Sequence, residues 1–171
     1  MPMVRGREDL NFNMDNNKEY SETVIEIKRI SKKTKGGNTI RFSALVVVGD
    51  RKGKVGLGLA KAGDVSGAIQ KSLAAAKRKM FLAPLKGTTI PYSVEEKFSA
   101  ARGLIKPAPR GSGIIAGGAI RVILEAVGVR DAVGKILGTK NKASNVYATL
   151  NALKKLAYFD RVRKMKEDIN L

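Results

Sequence analysis

Histidine, cysteine and tryptophan are absent from this 171-residue chain. Without the first two there is no Ser-His-Asp or Cys-His nucleophilic triad, no thiol redox chemistry and no ordinary His/Cys zinc site. A disulfide framework is excluded as well, which suits a reducing compartment. Aromatic side chains are sparse, four Tyr and five Phe. No apolar run approaches the roughly 18 residues of a membrane span, and Met1–Leu10 is too polar for a secretory signal. A soluble cytosolic protein with no catalytic site, no cofactor and no metal is expected. Acidic residues are also scarce, 15 against 33 Lys plus Arg, for a formal net charge of +18.

What is present is an uneven distribution of that charge. Residues 1–26 carry a net −3, residues 27–158 a net +20 and residues 159–171 a net +1. So much like charge on a compact body asks for a polyanion, and nucleic acid is the leading partner. An anionic membrane fits less well, because no segment joins the basic residues to a strongly apolar helical face. The 43% apolar content supplies a real core, enough for one ordinary domain or two small ones.

Along the chain, residues 1–22 read as a flexible leader, and structure is expected from about Thr23. Ile25 and Ile27 alternate with Glu26 and Lys28 as in a half-buried strand. Residues 31–39 contain no apolar side chain and read as a hairpin loop. A second strand is predicted from Ile40 to Val48, ending in the continuous run Leu45–Val48. A third places Val55, Leu57 and Leu59 on one face and Gly56 and Gly58 on the other, a bare surface that a helix can approach. Asp64 is the expected N-cap of a helix carrying Val65, Ala68, Ile69, Ser72, Leu73, Ala76 and Met80 at helical spacing. After Pro84 a second unit is expected. It has strands near 89–94 and 101–106, a helix from Ile114 to Val127, a strand at Ala132–Leu137 and a helix at Ser144–Ala157. Residues 159–171 read as a loose charged tail. The fold class is α+β, two small domains over residues 23–84 and 85–158.

Candidate RNA-binding residues cluster in the basic turns. Lys32, Lys33 and Lys35 with Gly36 and Gly37 form one tip, flanked by Arg29 and Arg41. Arg51, Lys52 and Lys54 form a second, taken to lie at a neighbouring strand end, and Lys61 ends the next strand. Gly111, Ser112 and Gly113 open the predicted Ile114 helix, whose free N–H groups would grip a phosphate. The same run fits G-x-G-x-x-A, with Asp131 near the distance of a ribose-binding acid. Pro107 and Pro109 interrupt the strand that a dinucleotide site requires, and the remaining chain is short for one. Lys71, Lys77, Arg78 and Lys79 read as a solvated helix face, and Glu95 and Glu96 as a surface pair. Phe42 alternates with Ile40 and reads as core. With Phe42 the only aromatic in the predicted strands of the first unit, a sheet that stacks bases is not expected there, and folded RNA recognised by phosphate and shape is favoured. A free-standing regulator of double-stranded RNA remains an alternative.

Two motifs carry a resemblance. Ala44-Leu45-Val46-Val47-Val48-Gly49-Asp50 with Gly53-Lys54-Val55-Gly56-Leu57-Gly58 and Lys61-Ala62 is similar to the bacterial family of small ribosomal subunit protein five. So is Gly111-Ser112-Gly113-Ile114-Ile115-Ala116-Gly117-Gly118-Ala119 with Arg121 following. Lys35-Gly36-Gly37 and Leu137-Gly138-Thr139 with Asn141 fall in the same order. The resemblance implies a first domain like a double-stranded-RNA-binding domain, with a three-stranded sheet and a helix, and a small α+β second domain. It implies a structural, non-enzymatic role in the small ribosomal subunit in the cytoplasm. The implied partners are small-subunit ribosomal RNA, small-subunit proteins four and eight, and messenger RNA near its entrance, with an influence on decoding accuracy. By position, Lys33, Lys35, Gly36 and Gly37 would approach ribosomal RNA near the spectinomycin site. Lys140 and Asn141 join the RNA-binding set, and Gly113 and Arg121 would face protein four. The chain departs from the family's frequent residues at Asn38, Thr39, Ala60 and Lys142.

Overall fold

A strand that buries one face alternates apolar and polar residues, whereas a strand covered on both faces reads as one apolar run. Ala44–Val48 is such a run, and all five residues are buried in the computed structural model, which describes residues 20–169. They belong to β2 (Gly37–Gly49), which lies between β1 (Ser21–Thr34) and β3 (Lys54–Ala62) in an antiparallel sheet. A two-residue β4 (Phe81–Leu82) adds a fourth strand beyond the three expected. Ala44, Val46 and Val48 pack with Ala68 and Ala76 of α1 (Val65–Arg78). Leu45 and Val47 face the other way and join a core with Ile120, Ile123 and Leu153 of the second domain.

Helix α1 starts as the sequence predicts, with the Asp64 carboxylate accepting the Gly67 N–H at 2.6 Å. The bare glycine face of β3 is what admits it. A Cβ on Gly58 would lie 1.8 Å from the Ser72 carbonyl oxygen, and one on Gly56 2.3 Å from that of Ala76. Leu59 lies opposite Leu45 on the face it shares with Val55 and Leu57, as expected, but is 44% exposed.

The second domain contains β5 (Val94–Phe98), β6 (Ala101–Pro107), β7 (Ile114–Ala116), α2 (Gly118–Val127), β8 (Ala132–Leu137) and α3 (Lys142–Ile169). Its sheet runs β5-β6-β8-β7, antiparallel except for β7 and β8, whose parallel pairing needs the crossover through α2. Expected β8 is found residue for residue, and β6 to within one.

Four expectations are corrected. The strand expected at 89–94 begins only at Val94, because Pro91 has no N–H to give a ladder. The helix expected from Ile114 starts at Gly118; Ile114–Ala116 instead pairs with Ala132–Gly134 as β7. The hairpin loop expected at 31–39 is nearly all strand, with Thr34 opposite Gly37 and only Lys35 and Gly36 in the turn. Ladder hydrogen bonds need no apolar side chain, so composition alone misread the segment. The tail expected to be loose continues α3 to Ile169. Ion pairs one turn apart, Asp160–Lys164 at 3.1 Å and Arg163–Glu167 at 2.7 Å, support it, and Arg163 also donates to the Tyr92 hydroxyl. Residues 1–19 of the expected leader lie outside the described residues, and Ser21 and Glu22 already belong to β1.

The two domains meet at the turn between β2 and β3. The last carbonyls of a helix lack intrahelical partners. Here the Arg51 N–H donates to Ala126 O at 3.1 Å and the Gly53 N–H to Val127 O at 2.8 Å. The first domain thus caps α2 of the second.

Candidate nucleic-acid interface

β3 ends opposite Phe42, at Ala62, while β1 and β2 run on together to their turn. The continuation is a two-stranded arm. Every residue from Ser31 to Arg41 is exposed. Between Ile27 and Arg41 there are six basic residues and no acidic one. Lys28 is paired with Glu26 at 3.0 Å, at the arm's base.

Directly opposed residues of an antiparallel pair share a face. Ile30 lies opposite Arg41 and Lys32 opposite Thr39, and Lys61 extends the same face opposite Ser43. With Thr34 they line an open groove of about 380 Å³. Arg29 and Lys33 occupy the reverse face, opposite Phe42 and Asn38, and Lys35 and Gly36 form the tip. The structure therefore brings Arg29, Lys32, Lys33, Lys35, Gly36, Gly37, Arg41 and Lys61 into one projecting element. Phe42, half-buried, packs toward α1 as expected of a core residue. Ile30 and Thr34 are not among the residues the sequence singles out, and Thr39 stands there only as a departure from the family's frequent residues. Counting outward from a two-residue turn at Lys35-Gly36 finds them.

Arg51, Lys52 and Lys54 do not join this cluster. Successive turns of an antiparallel meander fall at opposite ends, so the second tip is a full β2 length from the first, roughly 40 Å for 13 residues. The Asp50 carboxylate closes this turn, accepting the N–H groups of Lys52 at 2.7 Å and Lys54 at 2.9 Å. Its backbone is committed to the domain joint.

Gly111, Ser112 and Gly113 form a loop leading into β7, not a helix N-terminus. Two of their N–H groups are not free for phosphate. Those of Gly111 and Gly113 donate to Asp131 Oδ1, each at 3.0 Å. The acid that the G-x-G-x-x-A pattern would place on a ribose instead holds the loop itself, which removes the dinucleotide reading. Asp131 is buried, and hydrogen bonds from Thr88, then Gly113 and Gly111, hold its carboxyl below the usual carboxylate value against the opposing effect of burial.

Asn141 precedes α3, and its Oδ1 accepts the Ala143 N–H at 3.2 Å, a capping role; Lys140 beside it is exposed. Arg121 is exposed on α2, and its Nη2 donates to the Ile114 carbonyl of β7 at 3.1 Å. Glu95 and Glu96 are surface ion-pair partners of Arg102 and Lys155, as expected of a surface pair.

Residues 20–84 match the N-terminal domain of ribosomal protein S5 and residues 96–166 its C-terminal domain. The chain belongs to the ribosomal protein S5 family. It is 50% identical over 139 residues to the small ribosomal subunit protein uS5 of Treponema pallidum subsp. pallidum, and equally to that of Treponema pallidum strain Nichols. Each alignment covers 81% of this chain and 81% of the relative. An S5 protein is a ribosomal, non-enzymatic component of the translation machinery. The arm and α1 belong to the S5 N-terminal domain, and the Gly111–Gly113 loop, β7 and α2 to the C-terminal one.

Proposed function

We propose that this S5-family chain binds small-subunit ribosomal RNA chiefly through its β1–β2 arm, with Lys32, Arg41 and Lys61 on the groove face and Arg29, Lys33 and Lys35 on the reverse face and tip. The observation that carries this reading is an exposed ribbon with six basic residues and no acid, projecting from a packed domain. A paired ribbon presents its cations at fixed spacing, which suits phosphates of folded RNA better than stacked single-stranded bases. The family resemblance extends the reading to contacts with small-subunit proteins four and eight, with Gly113 and Arg121 facing protein four. It also extends it to a place near the messenger-RNA entrance and an influence on decoding accuracy. Lys54, Arg51 and Lys52 would serve a second RNA contact at the far end of the sheet.

Salt titration of the chain on its ribosomal RNA tests the first part. Each neutralised phosphate contributes a log–log slope of roughly −0.7 to −0.9, so about six contacts predict a slope steeper than about −4. Replacing Lys32 or Arg41 with Ala is expected to flatten it by about one unit each. A slope shallower than about −2 in the unsubstituted chain overturns the proposal.

A further inference from the structure

We infer that Asp131 is a positioning residue for RNA binding, holding the loop Pro109–Gly113 so that Arg110 faces outward to meet a phosphate. The inference rests on the RNA-binding reading above and adds two residues to it.

The geometry carries it. Asp131 is 4% exposed at the start of the segment leading into β8. Its Oδ1 takes two loop N–H groups, from Gly111 and Gly113, and the Thr88 hydroxyl donates to the same carboxylate. The Thr88 carbonyl in turn accepts the N–H groups of Arg130 at 2.8 Å and Asp131 at 3.1 Å. One buried carboxylate therefore ties the loop to the 86–89 hairpin, which connects the two domains. Gly111 and Gly113 have φ of +90° and +72°, so their N–H groups turn inward only because no Cβ opposes that backbone. With those two donors aimed at Asp131, the exposed charge that this loop offers a ligand is Arg110. Lys106 and Arg130, both exposed, are the nearest cations along the chain to the loop and to Asp131. Such a surface favours an anionic ligand over an apolar protein segment, and on the RNA-binding reading that anion is a phosphate. A negative group beneath a cationic loop loses little attraction for RNA if it is buried and engaged with donors, and it removes the ordering entropy of the loop before binding.

A double-mutant cycle on the full chain, read by binding to its ribosomal RNA, tests this. Arg110→Ala is expected to weaken binding about tenfold, the loss of one charged hydrogen bond. Asp131→Ala is expected to weaken it comparably, and the double variant no further, because an unheld Arg110 has nothing left to lose. Asp131→Asn keeps an acceptor at Oδ1 and is expected to retain most of the affinity. Amide exchange at Gly111 and Gly113 is expected to accelerate in Asp131→Ala and stay slow in Asp131→Asn. If Asp131→Ala loses its fold, Thr88→Val, which removes one donor and keeps the shape, replaces it in the cycle with a smaller coupled loss. Additive losses overturn the inference. So does wild-type affinity in Asp131→Ala with the two amides released. A shallow salt slope in the unsubstituted chain overturns the RNA reading itself, and this inference with it.

Discussion

Gly128 and Arg51, from different domains, lie so close that a Cβ on Gly128 would fall 2.0 Å from the Arg51 carbonyl oxygen. Gly128 ends α2 with φ of +97°, and Arg51 sits in the turn that caps that helix with a φ of 56°. Gly49, at the other side of the turn, would meet Ala126 O at 2.1 Å. Leu45 and Val47 also share a core with Ile120 and Ile123, so the two S5 domains pack as one body, and they are expected to unfold together.

Gly128→Ala is therefore expected to destabilise the whole chain by about 3 kcal/mol, from overpacking and a left-handed backbone together. Urea unfolding followed by one probe in each domain checks it. The two transitions are expected to shift together. A shift confined to the second domain would refute the shared body.

Gly58→Ala pushes a methyl into the Ser72 carbonyl of α1, and a loss of about 2–3 kcal/mol is expected. Gly36→Ala at the arm's tip meets nothing within 4 Å, and its effect on stability is expected to stay within about 0.5 kcal/mol. Thermal melts of the two variants side by side decide the contrast.

Acid titration reads out Asp131. Its folded carboxyl sits below the ordinary 3.8, so its contribution to stability is complete above that value. That contribution is lost as pH falls through the lower folded value. The stability gap between the unsubstituted chain and Asp131→Ala is expected to be constant from about pH 7 to about pH 5 and to narrow below 3.8. Denaturant midpoints across that range measure it, and a gap that widens in acid contradicts the assignment.

Arg121 donates to a carbonyl of the edge strand β7, so it blunts that edge as well as facing outward. Arg121→Leu is expected to fold and assemble, at a cost of about 1 kcal/mol for the lost hydrogen bond. Under the proposed contact with protein four, it also raises translational error. A misreading reporter in cells carrying only this variant is the measurement, and an unchanged error rate with normal assembly rejects that role.

The aspartates explain why charge counting served the partner class better than the site. Asp50, Asp64 and Asp131 each accept backbone N–H groups, closing a turn, a helix N-terminus and a loop. They hold backbone in place rather than break up the basic surface of the arm. Local chemistry of that kind is partly visible in sequence: Asp64 before a helical period announces its cap, and Gly56 and Gly58 announce a close helix.

The α+β class, the partner class and most element positions are legible in the residues alone, because period and capping act over a few neighbours and net charge is a plain sum over the chain. The Leu45–Val48 run even recorded that β2 is covered on both faces, without saying by what. Tertiary structure alone decided that the second covering layer is the other domain, that residues 31–39 extend as a paired arm, and that Arg51 and Lys35 stand at opposite ends. It also turned Asp131 toward Gly111 and Gly113, 20 and 18 residues away in the chain. Each of these depends on which distant backbone groups meet, and hydrogen bonds between them leave no periodic trace in the residues that make them.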